Sequence, residues 1–184
     1  MKKIIILLIV LWFPEIHSQQ PLTSNERFHK NNGDILVVAL PSLALGSTFI
    51  WQDGQKGMYQ FSKALASTLA LSYGLKFLIN KERPNGENNY SFPSAHTSAA
   101  FASAAFLHRR YGWEYGLPAY VLAGYVGFTR IKANKHDGWD VLAGAAIGTG
   151  MSYLFSKPFD KEGKFQVTSG LMENTLTFGF TYRF

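Results

Sequence analysis

Five apolar segments of helical length constrain the fold of this 184-residue chain. They lie at 35–51, about 58–79, about 94–109, 116–131 and about 139–155, and the first of them carries no charged residue. Small residues are frequent in the last three segments, and small residues at helical spacing let helices approach closely in lipid. The pattern predicts an all-α fold, a membrane-associated bundle of five core helices, with a tightly packed soluble bundle as the alternative.

The composition fits contact with lipid or phosphate. Charged residues make up 16% of the chain, whereas about 25% is usual in soluble domains. The formal charge is +6, but no basic run interleaved with aromatic residues indicates nucleic-acid binding. We therefore predict attraction to anionic lipid or phosphate and no nucleic-acid partner. The absence of cysteine excludes disulfides and thiolate metal sites.

The N-terminus has the pattern of an export signal. Lys2 and Lys3 precede the apolar run 4–13, and a polar IHSQQ stretch follows. Cleavage after Ser18 is predicted because the run falls short of the ~20 residues that span a membrane. An uncleaved anchor is the alternative. Either form directs the chain out of the cytoplasm, to the cell membrane or, for a soluble bundle, to the periplasm.

The rest of the chain divides into three parts. Residues 19–33 are a polar lead-in, 34–156 contain the helical core, and 157–184 form a tail. From 176 to 184 apolar residues alternate with other residues, which is the period of a strand. A turn is expected near Glu173 and Asn174, so the tail is predicted to form a short C-terminal β-hairpin.

Three polar blocks lie at the ends of the predicted helices: KFLINKERP at 76–84, PSAH at 93–96 and RIKANKHDGWD at 130–140. In an up-and-down bundle the second-to-third and fourth-to-fifth connections lie at the same end. All three blocks should therefore meet there. Following the chain from the signal puts this end on the periplasmic or exterior side, with Arg109 and Arg110 on the cytoplasmic side.

The residue types in the blocks suit a phosphate group. Lys76, Arg83 and Arg130 can bind its oxygens. Ser94 stands at a helix start, where hydroxyl and backbone N–H groups favour an anion. These groups make a metal unnecessary, and the chain lacks the clustered carboxylates or histidines of a two-metal phosphatase, so no metal and no cofactor are predicted. Taken singly, each residue also suits a helix cap, a helix-end lysine or a solvated charge.

Two histidines complete the predicted chemistry. His136 and Asp140 lie four residues apart at a helix start and so share a face. The carboxylate can hold Nδ1–H and leave Nε2 to attack phosphorus, which gives a phosphohistidine. His96 would protonate the leaving oxygen and later activate water. Asp137 is a rival partner for His136, although its adjacent position should point it elsewhere, and a surface ion pair is the alternative reading of His136 with Asp140.

At these residues the chain resembles the type 2 phosphatidic acid phosphatase superfamily, over about residues 34–156. The family's first motif, a lysine, six residues and Arg-Pro, is matched by Lys76 and Arg83-Pro84. Its second, Pro-Ser-Gly-His, is PSAH here, and Ala95 in place of glycine keeps the backbone N–H. Its third, Ser-Arg, five residues, His, three residues and Asp, is matched with Thr129 in place of serine.

The resemblance implies a role for each matched residue: His136 as nucleophile, Asp140 as its orienting group, His96 as acid, and Lys76, Arg83, Ser94, Arg130 and the Ala95 N–H as phosphate binders. It implies a metal-independent hydrolase acting on a lipid phosphate or pyrophosphate at a membrane. A soluble periplasmic acid phosphatase of broad specificity is the main alternative. A vanadate haloperoxidase, which is usually much longer, and a non-catalytic membrane module are the others. The oligomeric state stays open.

Overall fold

The computed structural model describes residues 23–50, 54–159, 165–172 and 175–182. Its elements are, in chain order, α1 (Ser24–Ile50), α2 (Gly54–Ile79), α3 (Ala95–Tyr111), α4 (Trp113–Lys132), α5 (Gly138–Phe155), β1 (Phe165–Met172) and β2 (Thr175–Tyr182). The two strands pair antiparallel, with Phe165 opposite Tyr182. The predicted bundle of five core helices with a C-terminal hairpin is confirmed. The predicted signal at 1–18 and the expected turn residues Glu173 and Asn174 lie outside the described residues.

The first helix begins at Ser24, earlier than the expected residue 35, so the described part of the polar lead-in 19–33 is largely helical. A capping box starts it. Thr23 Oγ1 accepts a hydrogen bond from the Glu26 N–H at 3.3 Å, and Glu26 Oε2 accepts one from the Thr23 N–H at 2.9 Å. The apolar pattern misses these turns because they are polar and mostly exposed.

The fourth helix also begins earlier than expected, at Trp113 and not at 116. Gly112 separates α3 from α4 with a φ of 93°, a left-handed conformation that residues with a side chain rarely adopt. Pro118, expected in the first turn, therefore lies in the second turn of α4.

Helix α3 is the centre of the bundle, and most of its residues are buried. Helix α5 packs along it through Gly144, Gly148 and Ser152, which follow one another at four-residue intervals on one face. A Cβ atom on Gly148 would overlap the Ser98 carbonyl oxygen of α3, and Ser152 Oγ donates a hydrogen bond to another α3 carbonyl. Backbones can approach this closely only where side chains are small. This contact, the α3–α5 seam, sets the start of α5 beside the start of α3.

Small residues fill much of the core, and many large apolar side chains face outward. Alanines of α1, α3 and α4 pack around Phe61 and Phe106, whose ring centroids are 4.9 Å apart. The outward-facing apolar side chains include Ile35, Val38, Phe49, Phe77, Leu78, Val121, Leu142 and Leu154. Among the described helices, α1 is the one long and apolar enough to cross a membrane. An apolar surface spread over four helices suits lipid and counts against the soluble bundle.

The α3–α5 seam should tolerate no added atom at Gly148. Gly148→Ala is expected to destabilise the protein by about 1–3 kcal/mol, the usual effect of overpacking. Gly150→Ala is the matched control on the same helix, since nothing lies within 4 Å of its Cβ position. That change should stabilise α5 by about 0.5–1 kcal/mol. Thermal unfolding of both variants in detergent measures the difference, and equal midpoints would contradict the seam.

Candidate active site

The three polar blocks meet at one end of the bundle. This end contains the C-terminal ends of α2 and α4 and the N-terminal ends of α3 and α5, connected by the loops 80–94 and 133–137. The Ser94 N–H donates a hydrogen bond to the Asp140 carbonyl oxygen at 3.0 Å, which joins the starts of α3 and α5 directly. Lys76, Arg130 and His136 are also buried here.

His136 and Asp140 face each other across a short gap. Asp140 Oδ2 lies 3.4 Å from His136 Nδ1. The two groups are in contact at this distance but lack the alignment of a hydrogen bond, and Nδ1 has no hydrogen-bond partner in the described part of the chain. Contacts between catalytic groups are often this long before a substrate binds. Because the carboxylate faces Nδ1, the Nε2 atom is the one left for chemistry.

Asp140 is held from several further directions. Ser91 Oγ donates to its Oδ2 at 2.5 Å, and Lys81 Nζ donates to its Oδ1 at 2.7 Å. Asp137 and Asp140 also form the capping box of α5, in which each backbone N–H donates to the carboxylate of the other residue. Asp137 pairs with Lys81 as well, so it does not compete for His136. These contacts fix the carboxylate before any ligand arrives.

Lys76 and Arg83 are the two cations of the first block that the sequence predicts as phosphate binders. Lys76 is 6% exposed, so it is not a solvated helix-end lysine. Its Nζ donates to the carbonyl oxygens of Tyr90 at 2.7 Å and Ser91 at 3.4 Å, and an ammonium has a third donor for a phosphate oxygen. Arg83 Nε donates to Asn88 Oδ1 at 2.9 Å, which folds the 80–94 loop back on itself. The loop is thus tied to the cations that the sequence predicts as phosphate binders.

Ser94 caps α3 and is fully buried. Its Oγ accepts hydrogen bonds from the Thr97 N–H at 3.4 Å and from Thr97 Oγ1 at 3.0 Å. The Ser94 hydroxyl can therefore donate its own proton to a phosphate oxygen. Helix α3 starts at Ala95, whose N–H belongs to the first turn, where backbone donors have no partner inside the helix. Such a helix start favours an anion.

Arg130 and His96 share a partner that lies outside all three blocks. Arg130 Nη1 donates to Asp34 Oδ1 at 2.7 Å, and His96 Nε2 lies 3.3 Å from the same oxygen. Arg130 Nη2 also donates to the Lys30 carbonyl oxygen at 2.8 Å. The N-terminal part of α1 therefore forms one wall of the site.

Several residues at this end were missed by the sequence analysis. Lys81 lies inside the spacer of the first block and Ser91 just before the second, and nothing in the sequence distinguishes either. Asp34 is the last charged residue before the uncharged segment 35–51, which is a signal that could have singled it out. The capping pattern of two aspartates three residues apart at 137–140 was also readable.

Burial lowers the pKa of His136 to about 4, the contact with Asp140 opposes this shift, and the nearby Lys76 and Arg83 cations add to it. The imidazole is therefore neutral at pH 7, and a neutral imidazole has a lone pair for attack. The end of the bundle thus combines a neutral, oriented histidine with cations, a hydroxyl and a helix start.

Comparison with known proteins gives three kinds of match. The PAP2 superfamily model matches residues 57–164. The chain is 27% identical to the lipid A 4'-phosphatase of Helicobacter pylori strain J99, over 86% of this chain and 85% of that protein. It is 31% identical to the lipid A 1-phosphatase of the same strain, over 84% and 83%. The crystal structure of Aquifex aeolicus LpxE has a similar fold, with a TM-score of 0.60 and 24% identity over 70% of this chain and 83% of that one.

The ionisation of His136 can be measured directly. Its imidazole should stay neutral as the pH falls from 7 to 5 and should gain a proton near pH 4. NMR of isotope-labelled histidine in detergent follows this titration, and the spectrum of His136→Gln identifies the signal. A midpoint at or above the ordinary histidine value of about 6.5 would contradict the buried, cation-flanked environment.

Proposed function

The chain belongs to the PAP2 superfamily, and on that basis we propose that it hydrolyses a phosphate monoester of lipid A at a membrane surface without a metal. The family match and the lipid A phosphatase relatives confirm the predicted family and the prediction of a lipid phosphatase. The choice of lipid A follows the names of those relatives. The observation that carries the proposal is the neutral His136 beside Asp140, surrounded by phosphate-binding groups.

The reaction begins with attack by His136. The Nε2 lone pair forms a bond to phosphorus while the ester P–O bond breaks. His96 gives a proton to the leaving oxygen, so the lipid departs as a neutral alcohol. Water then attacks the phosphohistidine, His96 takes a proton from that water, and the P–N bond breaks to release inorganic phosphate. His136 and His96 both return to their starting states.

The cations stabilise the charge that develops on the phosphoryl oxygens. Lys76, Arg83 and Arg130 offer N–H donors, and Ser94 with the Ala95 N–H offers neutral ones at the start of α3. All of these residues are buried except Arg83, which is half-buried. This supports the role, because donors that are already fixed need no reorganisation during the reaction. Asp140 keeps the tautomer of His136 that leaves Nε2 unprotonated and stabilises the ring as it gains positive charge.

The outward-facing apolar side chains indicate that the helices around the site contact lipid. The protein is a membrane protein, and its active end would face the periplasm or cell exterior. Support for this orientation comes from Arg109 and Arg110 in the last turn of α3, at the opposite end, since such charges favour the cytoplasmic side. A lipid phosphate held in the bilayer interface could enter the site from the side. The exposed apolar surface makes the soluble periplasmic alternative the weaker one.

Purified protein in detergent with excess EDTA should release phosphate from lipid A. His136→Ala should lower this rate by more than about a thousandfold, as expected for loss of a nucleophile. His108→Ala is the matched control, because His108 lies near the other end of α3 and contacts Tyr153. It should keep most of the activity.

Two comparisons test the substrate class in the same assay. Phosphatidic acid and a soluble aryl phosphate are offered beside lipid A, with mass spectrometry of the product to show which lipid A phosphate is lost. Hydrolysis of the aryl phosphate alone would favour a broad acid phosphatase. Loss of activity with EDTA would contradict the metal-independent mechanism.

A further inference from the structure

Asp34 lies between Arg130, the proposed binder of the phosphate side of the breaking P–O bond, and His96, the proposed proton donor to its leaving oxygen. Its Oδ1 lies 2.7 Å from Arg130 Nη1, a phosphate binder, and 3.3 Å from His96 Nε2, the proton donor. It comes from α1, the helix that contributes none of the family motifs. One carboxylate oxygen therefore touches both an anion-binding group and an acid.

The position of Asp34 is built into the packing of α1 against α4. A Cβ atom on Gly33 would overlap Thr129 Oγ1 and the guanidinium of Arg130, so only glycine allows the helix this close. The Lys30 carbonyl oxygen accepts a second hydrogen bond from Arg130 at 2.8 Å. Lys30 and Asp34 thus accept hydrogen bonds from the Arg130 guanidinium, and Gly33 leaves room for it. Arg130 is 2% exposed. The Asp34 side chain is 42% exposed, but its contacts with Arg130 and His96 hold it in one position.

We propose that Asp34 is a positioning residue for the phosphatase reaction, which orients His96 as the proton donor; this inference rests on the proposed function. Because Nε2 of His96 faces the Asp34 carboxylate, Nδ1 of His96 is the atom that exchanges a proton with the substrate. The arrangement mirrors the nucleophile, in which Asp140 faces Nδ1 of His136 and Nε2 reacts. The carboxylate also stabilises the imidazolium form of His96, since opposite charges attract at this distance.

The effect of losing Asp34 should depend on the leaving group of the substrate. A sugar or alkyl alkoxide is a poor leaving group and needs the proton as the P–O bond breaks, whereas 4-nitrophenolate is stable as an anion and leaves without it. A residue that acts through His96 should therefore matter for lipid A and much less for 4-nitrophenyl phosphate. A residue that serves only the fold or Arg130 should affect both substrates equally.

The test compares kcat/KM for the two substrates in Asp34→Asn, which keeps the size of the side chain and removes its charge. The lipid A value should fall by about tenfold to a hundredfold, at or below the lower end of the ~10²–10⁴-fold effect of general acid catalysis, because Asp34 acts through His96. The 4-nitrophenyl phosphate value should fall far less. The ratio of the two values is insensitive to misfolding, because an unfolded fraction lowers both equally. Glu114→Gln, an exposed carboxylate in the first turn of α4, is the matched control and should leave the ratio unchanged.

A double-mutant cycle separates Asp34 from the other groups. In a His96→Ala background, Asp34→Asn should cause no further loss on lipid A, because residues that act through one another are not additive. An additive loss, or an equal fall on both substrates, would overturn the inference. A wild-type protein without activity on either substrate would instead contradict the proposed function, so the two failures are distinguishable.

Discussion

The carboxylate of Asp140 is the point on which the rest of the site depends. It caps α5 together with Asp137, accepts hydrogen bonds from Ser91 and Lys81, and faces His136 Nδ1. One buried group therefore links a helix start, the 80–94 loop and the proposed nucleophile. Because its oxygens have several donors, the carboxylate can be buried without the cost of an unpaired charge. The same contacts keep it rigid, which a group that orients a nucleophile requires.

The α3–α5 seam puts this carboxylate in place. Gly144 and Gly148 let α5 lie directly on the backbone of α3, so the Ser94 N–H can reach the Asp140 carbonyl oxygen. Two helix starts therefore meet at the site: the start of α5 is proposed to orient the nucleophile, and the start of α3 is proposed to bind the anion. Packing by small residues also leaves the large apolar side chains on the outside, where they suit lipid. The packing that builds the site thus also fits the protein to a membrane.

Much of this could be predicted from the sequence, and the failures have physical causes. Apolar segments located all five helices, and the spacing of His136 and Asp140 predicted that they would face each other. The early start of α1 was missed because its first turns bury little, so hydrophobic periodicity says nothing about them. Asp34 and Lys81 were missed because each acts across the fold, on a residue distant in sequence. Long-range partners of this kind depend on how helices pack, and local patterns carry no information about that.

The central claim is that His136 becomes phosphorylated, and rapid quenching tests it most directly. The enzyme is mixed with lipid A carrying labelled phosphate, stopped in alkali within milliseconds, and digested for mass spectrometry. The account predicts a transient phosphoryl group on His136 that is stable to alkali, labile to acid, and absent from His136→Ala. Turnover without any phosphorylated enzyme, together with direct inversion at phosphorus, would show attack by water and contradict the account.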